Sequence, residues 1–340
     1  MEHHRPSSTT RWLTTVLGVT NIISFTIGVS LAGGTSGRAL ERDVMAAPAA
    51  ITRVIARPTH RAAPAARATA KPAPIHEQAP PPPAAPIPIA GKGMWIYQFD
   101  KVAGGDPARI VRLARQRGLS HIFVRAGSSI SRLSGWKDIA AILPVAHAAG
   151  LKVIAWDFPY LRDPGADVRR ARWVLNARVK GHKVDGFAAD VETRSEGTVL
   201  TRSRARRYAT WLRANAHGAF LILVPPRPNH FTTSFYPYDV LVPKFDAVAP
   251  MVYWGRQSPA EAAMWAVGYL KRFHKPIAPI GQAYDMGPDG GPKGPPSGKA
   301  VVAFMNQAAH DGAVGVSFWS WQHTPARLWH TIHTYRWLPR

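Results

Sequence analysis

From residue 92 onward the chain repeats one pattern eight times: a short apolar run followed by a stretch with helical periodicity. The runs cover residues 93–99, 121–126, 152–157, 186–192, 219–224, 247–253, 277–283 and 314–319. Short apolar runs separated by helical segments read as strands of a parallel sheet, because a parallel connection needs a crossover of about a dozen residues or more. Eight such units in roughly 250 residues predict an α/β fold, the (β/α)8 TIM barrel. The punctuation agrees. Asp106-Pro107 caps a first helix and Gly118 ends it, the stretch His147-Ala-Ala-Gly150 closes a second, Thr201 opens the fourth, and Ser258-Pro259 opens the sixth. The fifth crossover is rich in Pro and aromatic residues and reads as irregular. No Gly-rich phosphate loop follows the first run, which counts against an open doubly wound sheet.

The 91 residues before this pattern have a different composition. Eleven of the twelve Trp and all nine Tyr lie from Trp95 onward, and a packed core needs such bulky side chains. Arg5 and Arg11 precede an uncharged run whose apolar part, Trp12 to Ala32, is long enough to cross a bilayer as a helix. Ser30-Leu-Ala32 places small residues before a cleavage point. Residues 1–33 are therefore expected to be a hydrophobic N-terminal helix, either a cleaved signal peptide or a membrane anchor. Residues 34–91 carry Ala-Pro and Arg-Pro repeats and are expected to be a disordered, partly stiff linker. Residues 92–340 are the barrel. The expected location is extracytoplasmic, secreted or tethered to the membrane. The chain has no cysteine, which excludes disulfides, thiolate metal sites and a cysteine nucleophile. Its net charge is +23, which favours anionic surroundings such as an acidic cell-wall polymer.

In a β/α barrel, chemistry collects where the strands end. Those ends carry Tyr97 and Gln98, Arg125, Asp157, Asp190 and Glu192, Tyr253 and Trp254, Gln282, Tyr284 and Asp285, and Trp319 and Trp321. Carboxylates can exchange protons with a glycosidic oxygen, flat rings stack on sugar faces, and amides and Arg hold hydroxyls or acidic groups. The sharpest signal is Asp185-Gly-Phe-Ala-Ala-Asp190-Val-Glu192. Side chains alternate on a strand, so Ala188, Asp190 and Glu192 share one face. Two carboxylates that close discourage joint ionisation, and one keeps its proton. Glu192, nearer the rim, is the expected general acid with Asp190 assisting. Ion pairing of the two with Arg125 or Arg194 is the alternative. A direct mechanism using Asp157 or Asp285 opposite Glu192 stays open.

This motif resembles the fourth-strand sequence Asp-x-x-Asp-x-Asp-x-Glu of glycoside hydrolase family 18, the chitinase family. Ala249-Pro-Met251-Val-Tyr253 resembles that family's sixth-strand Met-x-Tyr segment, and Gly315-Val-Ser-Phe-Trp319-Ser-Trp321 its eighth-strand ending. The resemblance implies Glu192 as the acid that protonates the leaving oxygen. It implies Asp190 as the group that orients the substrate's own N-acetyl nucleophile, Tyr253 as a contact to that N-acetyl group, and Trp319 as the floor of the sugar site. The chain departs from the pattern twice. Ala188 stands where the family has its middle Asp, and Trp254 stands where the family has an Asp after the Tyr. The barrel as a whole also resembles exported, glycosidase-like proteins of high-GC Gram-positive bacteria.

The fourteen His show no spacing typical of a metal site, so neither metal nor cofactor is expected. Arg202, Arg204, Arg206 and Arg207 fall on mixed faces of one helix and read as a solvated surface. No nucleic-acid module is readable. The Gly-rich stretch 286–298 reads as a long seventh loop over the cleft. Together these observations predict a secreted or membrane-tethered glycoside hydrolase that cuts a cell-envelope or extracellular polysaccharide. The alternative is a carbohydrate-binding barrel with weak or no turnover. Its expected partners are a carbohydrate polymer, an anionic wall polymer and, through an uncut leader, the membrane. The chain is read as a monomer.

Overall fold

The computed structural model describes residues 86–338. The expectations for the leader and for the spacer up to residue 85 lie outside the described residues. Nine parallel segments form one sheet: β1 (Gly91–Ile96), β2 (His121–Ser128), β3 (Lys152–Phe158), β4 (Gly186–Asp190), β5 (Leu221–Val224), β6 (Ala247–Val248), β7 (Met251–Val252), β8 (Ile280–Gln282) and β9 (Gly315–Trp319). Their order is β6-β5-β4-β3-β2-β1-β9-β8-β7. The last and first in that order, β7 and β6, are two halves of the expected sixth strand. Pro250 lies between them and has no N–H to give, so the ladder is interrupted there.

The ring nevertheless closes through this strand. The Ala249 and Met251 amides donate to the Leu223 and Pro225 carbonyls at 2.8 and 3.0 Å on one side. On the other side Val248 donates to Pro276 at 2.9 Å, and Ile280 donates to the Pro250 carbonyl at 2.8 Å. The eight expected strands are thus present in a TIM barrel.

The helices between them are α1 (Pro107–Gln116), α2 (Trp136–Ala148), α3 (Pro164–Asn176), α4 (Arg202–Asn215), α5 (Tyr238–Leu241), α6 (Pro259–Leu270), α7 (Gly298–His310) and α8 (Ala326–Thr334). Asp106 caps α1 by accepting from the Ala108 and Arg109 amides at 2.9 and 3.1 Å. Thr201 and Ser258 cap α4 and α6 in the same way. The fifth crossover is indeed irregular, with the four-residue α5 flanked by 3₁₀ turns. Among the described residues no helix is long and apolar enough to cross a membrane.

Two apolar layers follow from the strand alternation. Met94, Ile122, Val153, Phe187, Leu223, Val252 and Phe318 face outward into the helix-covered core. Trp95, Phe123, Ile154, Trp156, Ala188, Ile222, Ala249 and Ile280 fill the barrel interior. Large rings from the first three strands meet alanines and isoleucines from the others, which fills the interior with side chains. Trp95 lies flat on Phe123 with ring centres 4.1 Å apart and planes 3° apart. Its indole N–H donates to Ser317 Oγ at 2.9 Å, so no polar atom of this plug ring is stranded. Gly93 is needed below it, because a Cβ there would lie 2.1 Å from the His121 ring. The barrel also begins earlier than residue 92. Ile89 is fully buried in the interior cluster and Ile87 packs against it, so the last residues assigned to the linker close the bottom of the barrel.

Alternation also decides the fate of Asp157. It follows Trp156, whose ring points inward, and therefore faces the helices. There both carboxylate oxygens are taken by Arg170 of α3, at 2.8 and 2.7 Å, and the same guanidinium reaches Asp167 at 2.9 Å. All three side chains are at least nine-tenths buried. Replacing the cation with a neutral residue strands two buried acids, which typically costs about 3–5 kcal/mol. Arg170→Met is expected to lower the unfolding free energy by about that much in chemical denaturation. An unchanged value would show that this ion pair does not hold α3 to β3.

Candidate functional site

The C-terminal mouth of the barrel holds a cavity of about 470 Å³. Of the residues expected at the site, Asp190, Glu192, Tyr97, Arg125, Tyr253, Tyr284, Asp285 and Trp319 line it. All but one lie at or just past a strand end, in phase with the inward-facing residues below; Asp285 is one residue out of phase with Tyr284 and reaches the cavity from the start of the loop. Ala188, Asp190 and Glu192 continue one face of β4, and Tyr253 continues the inward line of Ala249 and Met251. The end of β4 is held by the Tyr236 hydroxyl, which donates to the Val191 carbonyl at 2.7 Å between the two acids.

Five expected residues lie elsewhere. Asp157 is bound by Arg170 behind the sheet, as above. Gln98 is exposed at the start of a 3₁₀ turn and does not reach the cavity. Trp254 is one residue out of phase with Tyr253, so its ring packs outward, 5.4 Å from Phe304 of α7. Gln282 is buried, and its side-chain oxygen accepts from the Gly255 amide at 3.1 Å, tying two strand ends together. Trp321 lies in a 3₁₀ turn that breaks the strand's alternation. It packs against Trp329 of α8 at 4.9 Å, with Arg117 over its ring.

The floor is aromatic. The Trp319 ring centre is 5.9 Å from that of Trp95, 5.8 Å from Tyr97 and 5.6 Å from Trp156. Arg125 lies over this group, 4.9 Å from the Tyr97 ring and 5.6 Å from the Trp156 ring. Tyr253 and Tyr284 meet edge to face on the opposite wall, 5.7 Å apart. Trp95 and Trp156 were not among the expected residues, although they sit two positions before Tyr97 and Phe158 on the same inward faces. Glu196, Asp289 and His323 also line the cavity. They come from loops, where no periodicity marks a facing direction. Asp289 belongs to the Gly-rich loop after β8, which does cover the cleft. Asp285 Oδ1 folds that loop by accepting from the Gly287 and Gly294 amides at 2.8 and 2.6 Å.

The electrostatics favour protonated acids. Burial, then the neighbouring Asp157 charge, push the Asp190 carboxyl up to about 7, against a smaller opposing effect of Arg125. Glu192 is held well above the ordinary glutamate range, first by burial and then by Asp190 and Glu196. Among the described residues neither acid makes an ion pair, so the pairing with Arg125 or Arg194 is not present. Arg194 instead donates to the Leu200 carbonyl. Two carboxyl groups, one able to give a proton near neutral pH, thus open onto a floor shaped for a flat ring.

No protein-family model and no curated protein matches the sequence. Among solved structures, the chain is similar to active domain 2 of the thermostable chitinase from Pyrococcus furiosus, seen as catalytic-site mutants complexed with chito-oligosaccharides. The TM-score is 0.52 with 15% identity, over 74% of this chain and 95% of that one. It is similar to the family 18 chitinase from Cycas revoluta in complex with (GlcNAc)3, with TM-score 0.51 and 13% identity over 72% and 99%. A fucosidase-like barrel from Bacteroides thetaiotaomicron gives TM-score 0.53 and 10% identity over 71% and 89%. At these identities the likeness is one of fold. The chain carries the barrel that glycoside hydrolases of the chitinase type use.

The raised Asp190 titration has a consequence for stability. Unfolded, this carboxyl releases its proton near pH 4; folded, it keeps it to about pH 7. Over that window the folded state binds more protons, so its stability falls as pH rises. Asp190→Asn removes the effect. The variant is expected to gain on the parent by a few kcal/mol as pH goes from about 5 to about 8. Thermal melts of both proteins at the two pH values measure this, and a constant offset would contradict the raised titration.

Proposed function

We propose that the barrel is a glycoside hydrolase that acts outside the cytoplasm on a polysaccharide containing N-acetylhexosamine. The observation that carries this reading is the pair Asp190 and Glu192, projecting from one strand into an aromatic-floored cavity with both carboxyls favoured in the protonated form. The chito-oligosaccharides and (GlcNAc)3 bound by two of the similar barrels support the substrate class. Glu192 gives its proton to the glycosidic oxygen as the bond to the anomeric carbon breaks. The acetamido oxygen of the same sugar closes on that carbon, with Asp190 holding the N–H of the acetamido group. Water then opens the ring so formed, and Glu192 takes the proton that the water loses. In this reading Tyr253 contacts the acetamido group, and Trp319 carries the sugar face.

The surplus of basic side chains lies outside the cavity. Arg169, Arg172 and Arg178 surround the exposed Trp173 on the α3 surface. This face suits attraction to an anionic wall polymer, and with the N-terminal leader it supports a place in the cell envelope.

One observation favours a second reading, a barrel that binds sugar without cutting it. Ala188 is fully buried in apolar surroundings directly below Asp190, so no third carboxyl continues the line that could relay charge to Glu192.

Incubating the purified protein with reducing-end-labelled chito-oligosaccharides separates the readings. The parent should release shorter products, with activity falling as pH rises through the Glu192 titration, because the acid must be protonated. Glu192→Gln should lose about 10²–10⁴-fold in turnover while still binding. Unchanged turnover in that variant would remove Glu192 from the mechanism. Binding without products in both proteins would establish the second reading.

A further inference from the structure

The chain carries 43 Lys and Arg against 20 Asp and Glu, yet the cavity reverses that balance. Five carboxylates line it, Asp190, Glu192, Glu196, Asp285 and Asp289, against one Arg, Arg125. His323 also lines it, and burial lowers its affinity for a proton, which leaves it neutral. The proposed hydrolysis uses two of the five. The other three come from the 3₁₀ turn Arg194–Glu196 after β4 and from the loop after β8. Converging like charges oppose one another. Glu196 is raised by its burial and then by Asp289, and it in turn raises Glu192.

A protein usually relieves such a group with its own cations or with a metal. Among the described residues, Asp190, Glu192, Glu196 and Asp285 make no ion pair. Nor are three or more acids or His gathered closely enough to hold a metal ion. A separate observation points to a ligand. Asp190 is only 9% exposed, and its Oδ1 is buried with no hydrogen-bond partner among the described residues, at the wall of this cavity. Such an atom is costly to leave unmet and is satisfied by a donor brought from outside.

We infer that the cleft selects a sugar chain bearing free amino groups, with ammonium groups meeting Glu196, Asp285 and Asp289 on either side of an N-acetylated unit held over Asp190 and Glu192. This rests on the proposed hydrolase site and names the chemistry of its substrate: a partly de-N-acetylated amino-sugar polymer. The acids are spread over a cavity of about 470 Å³, so the matching cations are spaced along an extended ligand. The partly exposed rings Tyr97 and Trp319, backed by the buried Trp95 and Trp156, suit pyranose faces, and aromatic faces also attract ammonium groups. The basic exterior does not cancel this, because screening confines each charge to about 8–10 Å while the cleft acids act at contact.

The test is binding, read by tryptophan fluorescence at mildly acidic pH. The probes are two chito-oligosaccharides of equal length, one fully acetylated and one partly de-N-acetylated, with oligolysine of similar charge as a third. At low salt the amine-bearing sugar should bind about tenfold tighter than its acetylated twin, a difference of about 1.4 kcal/mol. The preference should shrink to about twofold or less in Glu196→Gln, and on raising salt to about 0.5 M with the unmodified protein. Equal or tighter binding of the fully acetylated sugar overturns this inference and leaves the hydrolase reading standing. Oligolysine binding as tightly as the amino sugar also overturns it, since charge alone would then suffice. Failure of both sugars to bind overturns the carbohydrate reading together with it.

Discussion

The structure depends on one geometric constraint: a closed ring of parallel strands sends alternate side chains to opposite sides. Every residue on the inner face must share a narrow space with those of seven other strands. Trp95, Phe123 and Trp156 take most of that space at mid-height, and the alanines Ala188 and Ala249 on the opposing strands leave them room. Above this plug nothing fills the ring, and a hollow remains at the strand ends. The same alternation that builds the plug delivers Asp190 and Glu192 to the hollow, two residues apart on one face. It also sends Asp157 and Trp254 away from it, into the helix layer.

The distribution of charge follows from that architecture. Helix exteriors tolerate Arg and Lys freely, because their heads remain in water. The mouth of the barrel is partly desolvated, so each carboxylate placed there raises the proton affinity of the next. Glu192 is raised by Asp190 beneath it and by Glu196 above it, and Glu196 is raised in turn by Asp289. The result is a basic body with an acidic mouth.

Much of the fold was legible because barrel strands are short, apolar and regularly spaced, and because caps such as Asp106, Thr201 and Ser258 have a local chemical cause. The sixth strand was legible as one run, but its division at Pro250 shows only in the hydrogen bonds. The site was legible where strand phase carries through to the rim, as at Tyr97, Arg125, Asp190, Glu192, Tyr253 and Trp319. It failed one residue past that rule. Gln98 and Trp254 were assigned by proximity to a strand end although their phase points away, and Trp321 lies beyond a turn that resets the direction. Counting phase would have excluded the first two and recovered Trp95 and Trp156.

Sequence alone determined the class of fold, the inner face of β4 and the identity of the two acids on it, since all three are properties of neighbours along the chain. Only the tertiary structure decided which loop acids join them. Glu196 and Asp289 are far apart in sequence and come from turns with no periodic signal, and they meet only because the ring brings the ends of β4 and β8 to one mouth. Burial has the same origin. No local pattern says how much water a carboxyl will lose, and that loss, set by packing from the whole barrel, shifts Asp190 and Glu192 toward holding a proton.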